Sequence, residues 1–342
     1  MEKIDFVIPW VDGSDPVWLK EKEKYDKSVK QDYNNSSMRY RDWGTLRYVL
    51  RSIEQNCPWY HKIYLITEGH YPEWLDINHE RIVLVTHKEL YFDSSHLPVF
   101  SSSSIEMNLV NIKGLSEKFV YMNDDTLILK PTEEDRFFQD GLPVDFFSHG
   151  WVGRNKTFEK LRGMNSWAHS IKNNIDLINR KFPHIKLSRE QLYHSSYGVK
   201  TKVSNFLFNN LYKKILWLEH YHQPMAYLKK TFEEVHKEFS DEMMNCSANR
   251  FRANNDLTQY LYRYWQLATG QFVPSKFSDH KYYKIERKED IDKCLLEIDN
   301  YTFVCPNDSV SEEIDEDEYS YIENKLIEKL DELLPNRASF EK

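Results

Sequence analysis

Two adjacent carboxylates and an amide follow an apolar stretch in the segment KFVYMNDDTLIL, residues 118–129. Asn and Asp are common in turns at strand ends, where their side chains bond nearby backbone N–H groups, and one acid would fit that role well. Asp124 and Asp125 are adjacent, however, and two like charges repel each other unless a cation lies between them. Mg²⁺ and Mn²⁺ take oxygen ligands together with water and substrate phosphates. The segment Asn123–Asp125 therefore favours a site for Mg²⁺ (or Mn²⁺).

A second group of acids lies in the segment VIPWVDGSDPVW, residues 7–18. An apolar run leads into a tight turn that contains Asp12, Gly13 and Asp15. In one interpretation Asp15 caps a helix that begins at Pro16, since proline favours the first helical position. In the other, the loop covers a nucleotide and Gly13 permits close approach of the backbone. The residue types alone slightly favour the capped turn.

Two histidines and two arginines add candidates in the second half of the chain. His220 and His222, in EHYHQP, would share one face of an extended segment, but no third ligand follows at a suitable spacing, so zinc is not favoured. A structural role and general-base catalysis both stay open for them. Arg250 and Arg252, in NRFRANND, are either a solvated turn or a phosphate-binding pair, because a guanidinium offers two parallel donors. The Asn-Asp pair of CPNDS, residues 305–309, is a weak signal by itself.

Short apolar runs between helical patterns predict the elements that position these groups. Runs rich in Val, Ile, Phe and Tyr suit buried strands and occur at residues 4–10, 62–67, 81–86, 118–122 and 144–147. Helical periodicity is clear at 45–56 and 103–115. Alternating strands and helices indicate a three-layer, Rossmann-like α/β domain. Ligands bind such sheets beyond the carboxyl ends of the strands, which is where Asp12–Asp15 and Asn123–Asp125 lie.

The remainder of the chain has mainly helical patterns. They occur at residues 172–182, 205–218, 225–239, 256–270 and 311–334, and Gly270 gives the fourth a natural end. In the last, Ile327, Leu330 and Leu334 share one face, which predicts a terminal helix docked on the body. We divide the chain into an α/β part (1–150), a helical insertion (151–215), a part that completes the same domain (216–310) and an acidic C-terminal helix (311–342).

The bulk composition excludes some classes of protein. The chain has 342 residues, of which 40% are hydrophobic and 15% aromatic, enough to bury a sizeable core. Its 46 Lys and Arg against 54 Asp and Glu give a net charge of −8, which argues against a nucleic-acid-binding protein. The four cysteines form no CxxC pair, and so few indicate a reducing compartment. With neither a signal peptide nor a run of about 20 apolar residues, a soluble cytoplasmic protein is expected, and attachment to a membrane surface stays open.

Taken together, these segments resemble the Stealth family of sugar-1-phosphate transferases. That family includes bacterial capsule and exopolysaccharide phosphotransferases and the animal enzyme that tags lysosomal hydrolases with N-acetylglucosamine-1-phosphate. Four blocks match in order: IDFVIPWVDGSDPVW; RYRDWGTLRYVLRSIEQNCPWYHKIYLITEGHYPEWL with LPVFSSSSIEMNL and GLSEKFVYMNDDTLILKP; HYHQPMAYLKKTFEEV with NRFRANND; and FVCPNDSV. They span roughly residues 4 to 310, and the acidic tail lies outside them. Pro306 departs from the aliphatic residue that is usual in the family.

The resemblance implies a glycosyltransferase-A-type fold that binds a nucleotide sugar, and it implies roles for individual residues. Asp124 and Asp125 resemble the family's metal ligands, and Asp124 is also placed in the catalytic set; Asp308 is a further candidate ligand. His222 matches the family's essential histidine and Arg252 its essential arginine. Donor or phosphate binding is implied for Asp12, Asp15, Arg39, Arg41, Asp42, Ser102, Glu106 and Asn123.

The implied reaction is the transfer of a sugar-1-phosphate from a UDP-hexose or UDP-N-acetylhexosamine to a hydroxyl of a lipid-linked or oligosaccharide acceptor. UMP leaves, and a phosphodiester forms in a cell-surface polysaccharide, with peripheral contact at the inner face of the bacterial membrane. The alternative is a metal-dependent glycosyltransferase that uses the same donor and releases UDP. A sugar-binding module without catalysis is a third interpretation, which leaves the acids unexplained. The blocks that contain His222 and Arg252 favour phosphate transfer.

Overall fold

A five-stranded sheet forms the centre of the molecule in the computed structural model, which describes residues 2–26, 40–150, 165–311 and 313–342. Its strand order is β3-β2-β1-β4-β8, with β8 antiparallel to β4 and the other neighbours parallel. These strands are β1 (Ile4–Pro9), β2 (Ile63–Thr67), β3 (Ile82–Thr86), β4 (Lys118–Tyr121) and β8 (Met225–Leu228). The first four runs predicted from apolar composition are therefore confirmed to within a residue.

Helices cover both faces of this sheet, which explains why its central strands are apolar along their whole length. Phe6 and Ile8 of β1 pack in one hydrophobic cluster, and Val7 between them packs in the other. The described α-helices are α1 (Pro16–Asp26), α2 (Thr45–Asn56), α3 (His87–Leu90), α4 (Ser102–Glu106), α5 (Ser166–Lys181), α6 (Arg189–Tyr193), α7 (Val199–Leu207), α8 (Lys229–Glu238), α9 (Ser240–Ser247), α10 (Tyr260–Ala268), α11 (Lys288–Glu297) and α12 (Glu316–Leu333). The predicted three-layer α/β architecture is confirmed.

Two small sheets extend the centre. One has the order β10-β11-β5 and the other β6-β7-β9. Their strands are β5 (Leu127–Ile128), β6 (Phe138–Gln139), β7 (Leu142–Asp145), β9 (Val273–Pro274), β10 (His280–Ile285) and β11 (Phe303–Asp308). Because β11 pairs with β5, it brings the distant CPNDS segment beside the loop that follows β4.

Several predicted elements were wrong in type or extent. Residues 225–228 begin the predicted helix 225–239 but form β8, because they pair with the open edge of β4. The predicted helix 103–115 ends at Glu106 and continues as a short 3₁₀ turn. The predicted helix 205–218 stops near Lys213, whose φ of 55° is left-handed. The predicted strand 144–147 lies two residues earlier, in a small sheet.

Other helical predictions are confirmed. The helix at 45–56 has the predicted bounds, and α10 is followed by Gly270, which has a φ of 70°. The terminal helix packs on the body as expected, although its fully buried positions are Ile322, Leu326 and Leu330, and Ile327 is only half-buried. The isoleucines of α5 pack with α10 in one cluster, so the described part of the insertion shares the core of the sheet. None of the described helices is long and apolar enough to cross a membrane.

Candidate active site

A cleft of about 980 Å³ opens where β1 and β4 end, and it contains most of the side chains singled out from the sequence. The chain passes from β1 to β2 and β3 on one side and returns to β4 on the other, so the crevice lies at the point where the strand order reverses. Trp10 and Asn123–Asp125 line it from these two strand ends, and Asn307 and Asp308 line it from the end of β11. Local strand ends and one long-range pairing thus form a single site.

Asp125 is the most heavily bonded of the paired acids. One carboxylate oxygen lies 3.4 Å from Nε2 of His222, and the other accepts a hydrogen bond of 3.1 Å from the amide of Asn307. Nε2 of His222 is also 3.1 Å from the side-chain amide nitrogen of Asn123. Burial alone would raise the pKa of Asp125, but the hydrogen bond and charge of His222, with the bond from Asn307, hold it below its usual value.

His222 and Asp125 stabilise each other's charged forms. Burial alone would lower the pKa of His222, but the hydrogen bond and the charge of Asp125 outweigh it and raise that pKa above its usual value. Both side chains still reach the cleft, since His222 is 32% exposed and Asp125 22% exposed. The arrangement therefore fixes the imidazole at the surface of the cleft.

Asp124 differs from its neighbour. Burial and then the negative charges of Asp125 and Asp42 raise its pKa well above the usual value for a carboxyl. Within the described parts of the chain, no basic side chain forms an ion pair with it. Asp42, Asp124 and Asp125 line the same cleft, and carboxylate oxygens are the ligands that a hard divalent cation prefers, so these residue types fit Mg²⁺ or Mn²⁺.

A thiol lies beside Asp125 and His222, and the sequence pattern gave no role to it. Ligand atoms of Asp125, His222 and Cys305 lie within 4.8 Å of one another. Cys305 is fully buried. The available signal was its position two residues before Asn307 in the fourth block.

Arg252 and Ser102 contact each other in the cleft. Nη2 of Arg252 donates to the hydroxyl of Ser102 at 3.2 Å, and both residues line the cleft. Glu106, at the end of the same short helix, accepts hydrogen bonds from the Tyr121 hydroxyl at 3.0 Å and from the Gln259 N–H at 2.7 Å. Burial raises the pKa of Glu106 to about 7, and these two donors oppose that rise. Glu106 is thus a buried residue of the cleft wall that links β4 to the segment before α10.

Arg250 is not part of the cleft lining; its Nη2 donates to the Ser95 carbonyl at 3.1 Å. The two arginines of NRFRANND therefore have different neighbours. The structure keeps Arg252 at the cleft and uses Arg250 to attach the loop to residues 95–97.

Asp308 faces Arg41 instead of the paired acids. Arg41 donates to the two carboxylate oxygens of Asp308 at 2.9 and 2.7 Å and to the Val310 carbonyl at 2.5 Å. Asp42 accepts hydrogen bonds from the indole N–H of Trp10 at 2.9 Å and from the Thr45 N–H at 3.0 Å. All three charged residues line the cleft. Arg39, the other predicted phosphate neighbour, lies outside the described residues.

Asp12 and Asp15 have the geometry of a turn and a helix cap, and neither lines the cleft. Asp12 accepts from the N–H of Ser14 at 2.9 Å, and Asp15 accepts from the N–H of Val17 at 2.7 Å. The close backbone approach expected at Gly13 is real, but the neighbour is this chain's own Tyr40, whose carbonyl oxygen would lie 1.7 Å from an added Cβ. The first block therefore shapes the loop that carries Arg41 and Asp42.

The chain is similar to known proteins along its whole length. Residues 2–30 and 39–144 match the models of Stealth protein conserved regions 1 and 2. The chain is 35% identical to a capsular polysaccharide phosphotransferase of Streptococcus pneumoniae, over 100% of this chain and 99% of that protein. It is 34% identical to a receptor polysaccharide phosphotransferase of Streptococcus gordonii, with the same coverage, and 33% identical to an exopolysaccharide phosphotransferase of Lactiplantibacillus plantarum, over 99% and 96%.

The protein is therefore a transferase, and the relatives that it matches over their whole length are named phosphotransferases of bacterial polysaccharides. It belongs to the Stealth family. The chain also aligns with the structure of the inositol-1-phosphate CTP transferase from T. maritima, over 96% of this chain and 97% of that one, at 14% identity and a TM-score of 0.35.

Proposed function

We propose that the protein transfers a sugar-1-phosphate from a nucleotide sugar, a UDP-hexose or UDP-N-acetylhexosamine, to a hydroxyl of a lipid-linked or free glycan acceptor. UMP is the leaving group and a phosphodiester is the product. Contact with a membrane would be peripheral. The observation that carries the proposal is that His222, bonded to Asp125, shares one cleft with Arg252 and with Asp124.

The negative charge of the donor's diphosphate must be neutralised. A cation held by the acids at the strand end would do this. Asp124 and Asp125 would hold Mg²⁺ (or Mn²⁺), which when bound neutralises phosphate charge. Arg252 adds a positive charge in the same cleft, and its hydrogen bond to Ser102 reduces the freedom of its side chain. Phosphoryl transfer depends mainly on such positioning and electrostatic stabilisation.

His222 is the proposed general base. When Nε2 carries a proton and donates it to Asp125, it cannot also accept from the Asn123 amide, and Nδ1 is the ring nitrogen that can accept a proton from the acceptor hydroxyl. The hydroxyl oxygen then attacks the sugar-linked phosphorus, the bond from that phosphorus to the bridging oxygen breaks, and UMP departs. Asp125 stabilises the imidazolium that results, and the same interaction raises the pKa of His222.

The alternative is a glycosyltransferase that attacks the sugar carbon and releases UDP, with both phosphates retained on the nucleotide. A donor labelled with ³²P in its sugar-linked phosphate distinguishes the two. Incubation of the purified protein with that donor, Mg²⁺ and a glycan acceptor should move the label into the glycan. Label that stays entirely with the nucleotide while the sugar is transferred would refute the proposal.

A further inference from the structure

Three aromatic rings form one side of the cleft, and we call them the aromatic wall: Trp167, His220 and Tyr260. Trp167 is near the start of α5, and its ring centroid lies 5.4 Å from that of His220. The His220 ring lies 4.5 Å from Tyr260, at the start of α10. All three residues line the cleft, whereas Trp217, which packs 6.0 Å from Trp167 and 5.4 Å from His220, does not. The wall thus has a second aromatic layer behind it.

Two polar atoms at the wall have no hydrogen-bond partner among the residues that the structure describes. They are the hydroxyl of Ser166, a residue only 7% exposed, and the side-chain carbonyl oxygen of Gln223. Both residues line the cleft, next in sequence to Trp167 and His222 respectively. A buried polar atom without a partner costs free energy, so a ligand that offers hydroxyl groups here would be favoured.

The chemistry of this side of the cleft differs from that of the acid side. The wall and its two polar atoms include no Lys, Arg, Asp or Glu, so they do not suit a diphosphate. Flat aromatic faces with hydroxyl-binding groups at their edge suit the C–H face and the hydroxyls of a neutral pyranose. The charged end of the donor is accounted for by Asp124, Asp125 and Arg252.

We propose that the aromatic wall is the subsite for the acceptor's terminal sugar ring. The inference rests on the proposed function for the identity of the acceptor, and it adds where that acceptor binds. A single segment, residues 220–223, carries one wall residue, the proposed base and one of the unpartnered oxygens. A pyranose bound on the wall would thus lie in the same cleft as His222, to which one of its hydroxyls would have to transfer a proton.

The test is glycan binding without any donor. An array of oligosaccharides from bacterial capsules and exopolysaccharides identifies the best binder, which is then titrated against the wild type and Trp167→Ala. We expect Trp167→Ala to bind it about tenfold more weakly or worse and Trp167→Phe to retain most of the affinity. Affinity for UDP should stay within about twofold, because the donor occupies the acid side.

Trp74→Ala is the matched control, because Trp74 is a half-buried tryptophan that does not line the cleft. Equal glycan affinity in Trp167→Ala and Trp74→Ala, or no binding by the wild type to any member of the array, overturns the inference. Thermal unfolding of each variant shows whether a loss of glycan affinity reflects misfolding. If Trp167→Ala is misfolded, the same titration is made with Ser166→Ala: weaker glycan binding supports the inference, and unchanged binding overturns it. Because binding is measured without turnover, release of UDP instead of UMP would refute the proposed function and leave the subsite standing.

Discussion

At the scale of single residues, two neighbouring carboxylates with the same covalent structure have opposite properties. His222 and Asn307 stabilise the charge of Asp125, whereas burial and two nearby acids destabilise that of Asp124. Pairs of titratable groups whose surroundings push their pKa values apart are typical of active sites. The sequence predicted a function for the two acids, because adjacent carboxylates at a strand end repel each other. It could not distinguish Asp124 from Asp125, because the partners of Asp125 are 97 and 182 residues away in the chain.

Removal of the imidazole should slow catalysis strongly and spare donor binding. We expect His222→Ala to lower kcat about 10²–10⁴-fold, the usual contribution of a general base, with UDP affinity unchanged within about twofold. Initial rates and calorimetric titration with UDP measure the two quantities. His184→Ala, which changes an exposed histidine, is the control and should behave as the wild type. Near-normal turnover in His222→Ala would remove this residue from the mechanism.

Glu106 should make stability depend on pH. Its pKa is raised from 4.5 to about 7 in the folded protein, so the folded state holds the proton more tightly than the unfolded chain does. The stabilisation is complete below the unfolded pKa and is lost as pH rises to about 7, a difference of roughly 3 kcal/mol. Denaturant titrations between these pH values measure it. Glu106→Gln keeps a hydrogen-bond acceptor at this position and should flatten the dependence; an unchanged slope would show that another group titrates.

At the scale of elements, the site is formed by segments whose local patterns are strong and by pairings that have no local signal. The helix at 45–56 and the ends of β1 and β4 follow from periodicity and apolar runs, so they could be predicted. Strand β8 could not, because residues 225–228 have a helical pattern and become a strand only by pairing with β4. The bond between Arg41 and Asp308 likewise joins residues 267 positions apart.

Gly13 tests how the first block acts on the site. An added methyl would collide with the backbone of Tyr40, so Gly13→Ala must displace the loop that carries Arg41 and Asp42. We expect weaker UDP binding, by about tenfold, together with a lower melting temperature. Gly198→Ala is the matched control, since a methyl there meets nothing within 4 Å. If both variants bind UDP like the wild type, the first block does not shape the donor site.

At the scale of the whole molecule, the acidic C-terminal segment is part of the core. Leu326 and Leu330 of α12 and Phe340 beyond it are fully buried, and Arg51 of α2 forms an ion pair with Glu341 at 2.6 Å. The sequence predicted a docked helix from its apolar stripe. It could not predict that the last residues return to α2, because no periodic pattern continues there. The division of the chain at residues 150, 215 and 310 stays a prediction.

Truncation of one buried leucine in α12 should therefore destabilise the whole fold. We expect Leu330→Ala to lower the free energy of unfolding by about 2–5 kcal/mol, through lost burial and the cavity that remains. Leu296→Ala on α11 removes the same atoms from a side chain that is 85% exposed, and it should change stability by less than about 0.5 kcal/mol. Denaturant unfolding measures both; similar small losses would mean that α12 is only loosely attached.

The nucleotide that the protein releases distinguishes phosphate transfer from glycosyl transfer. Purified protein is incubated with a panel of UDP-sugars, Mg²⁺ and a glycan acceptor, and the nucleotides are separated by chromatography. We predict release of UMP that depends on the acceptor and is lost in Asp124→Ala and His222→Ala. Acceptor-dependent release of UDP would contradict this mechanism, and the roles proposed for His222 and Arg252 would then have to be withdrawn.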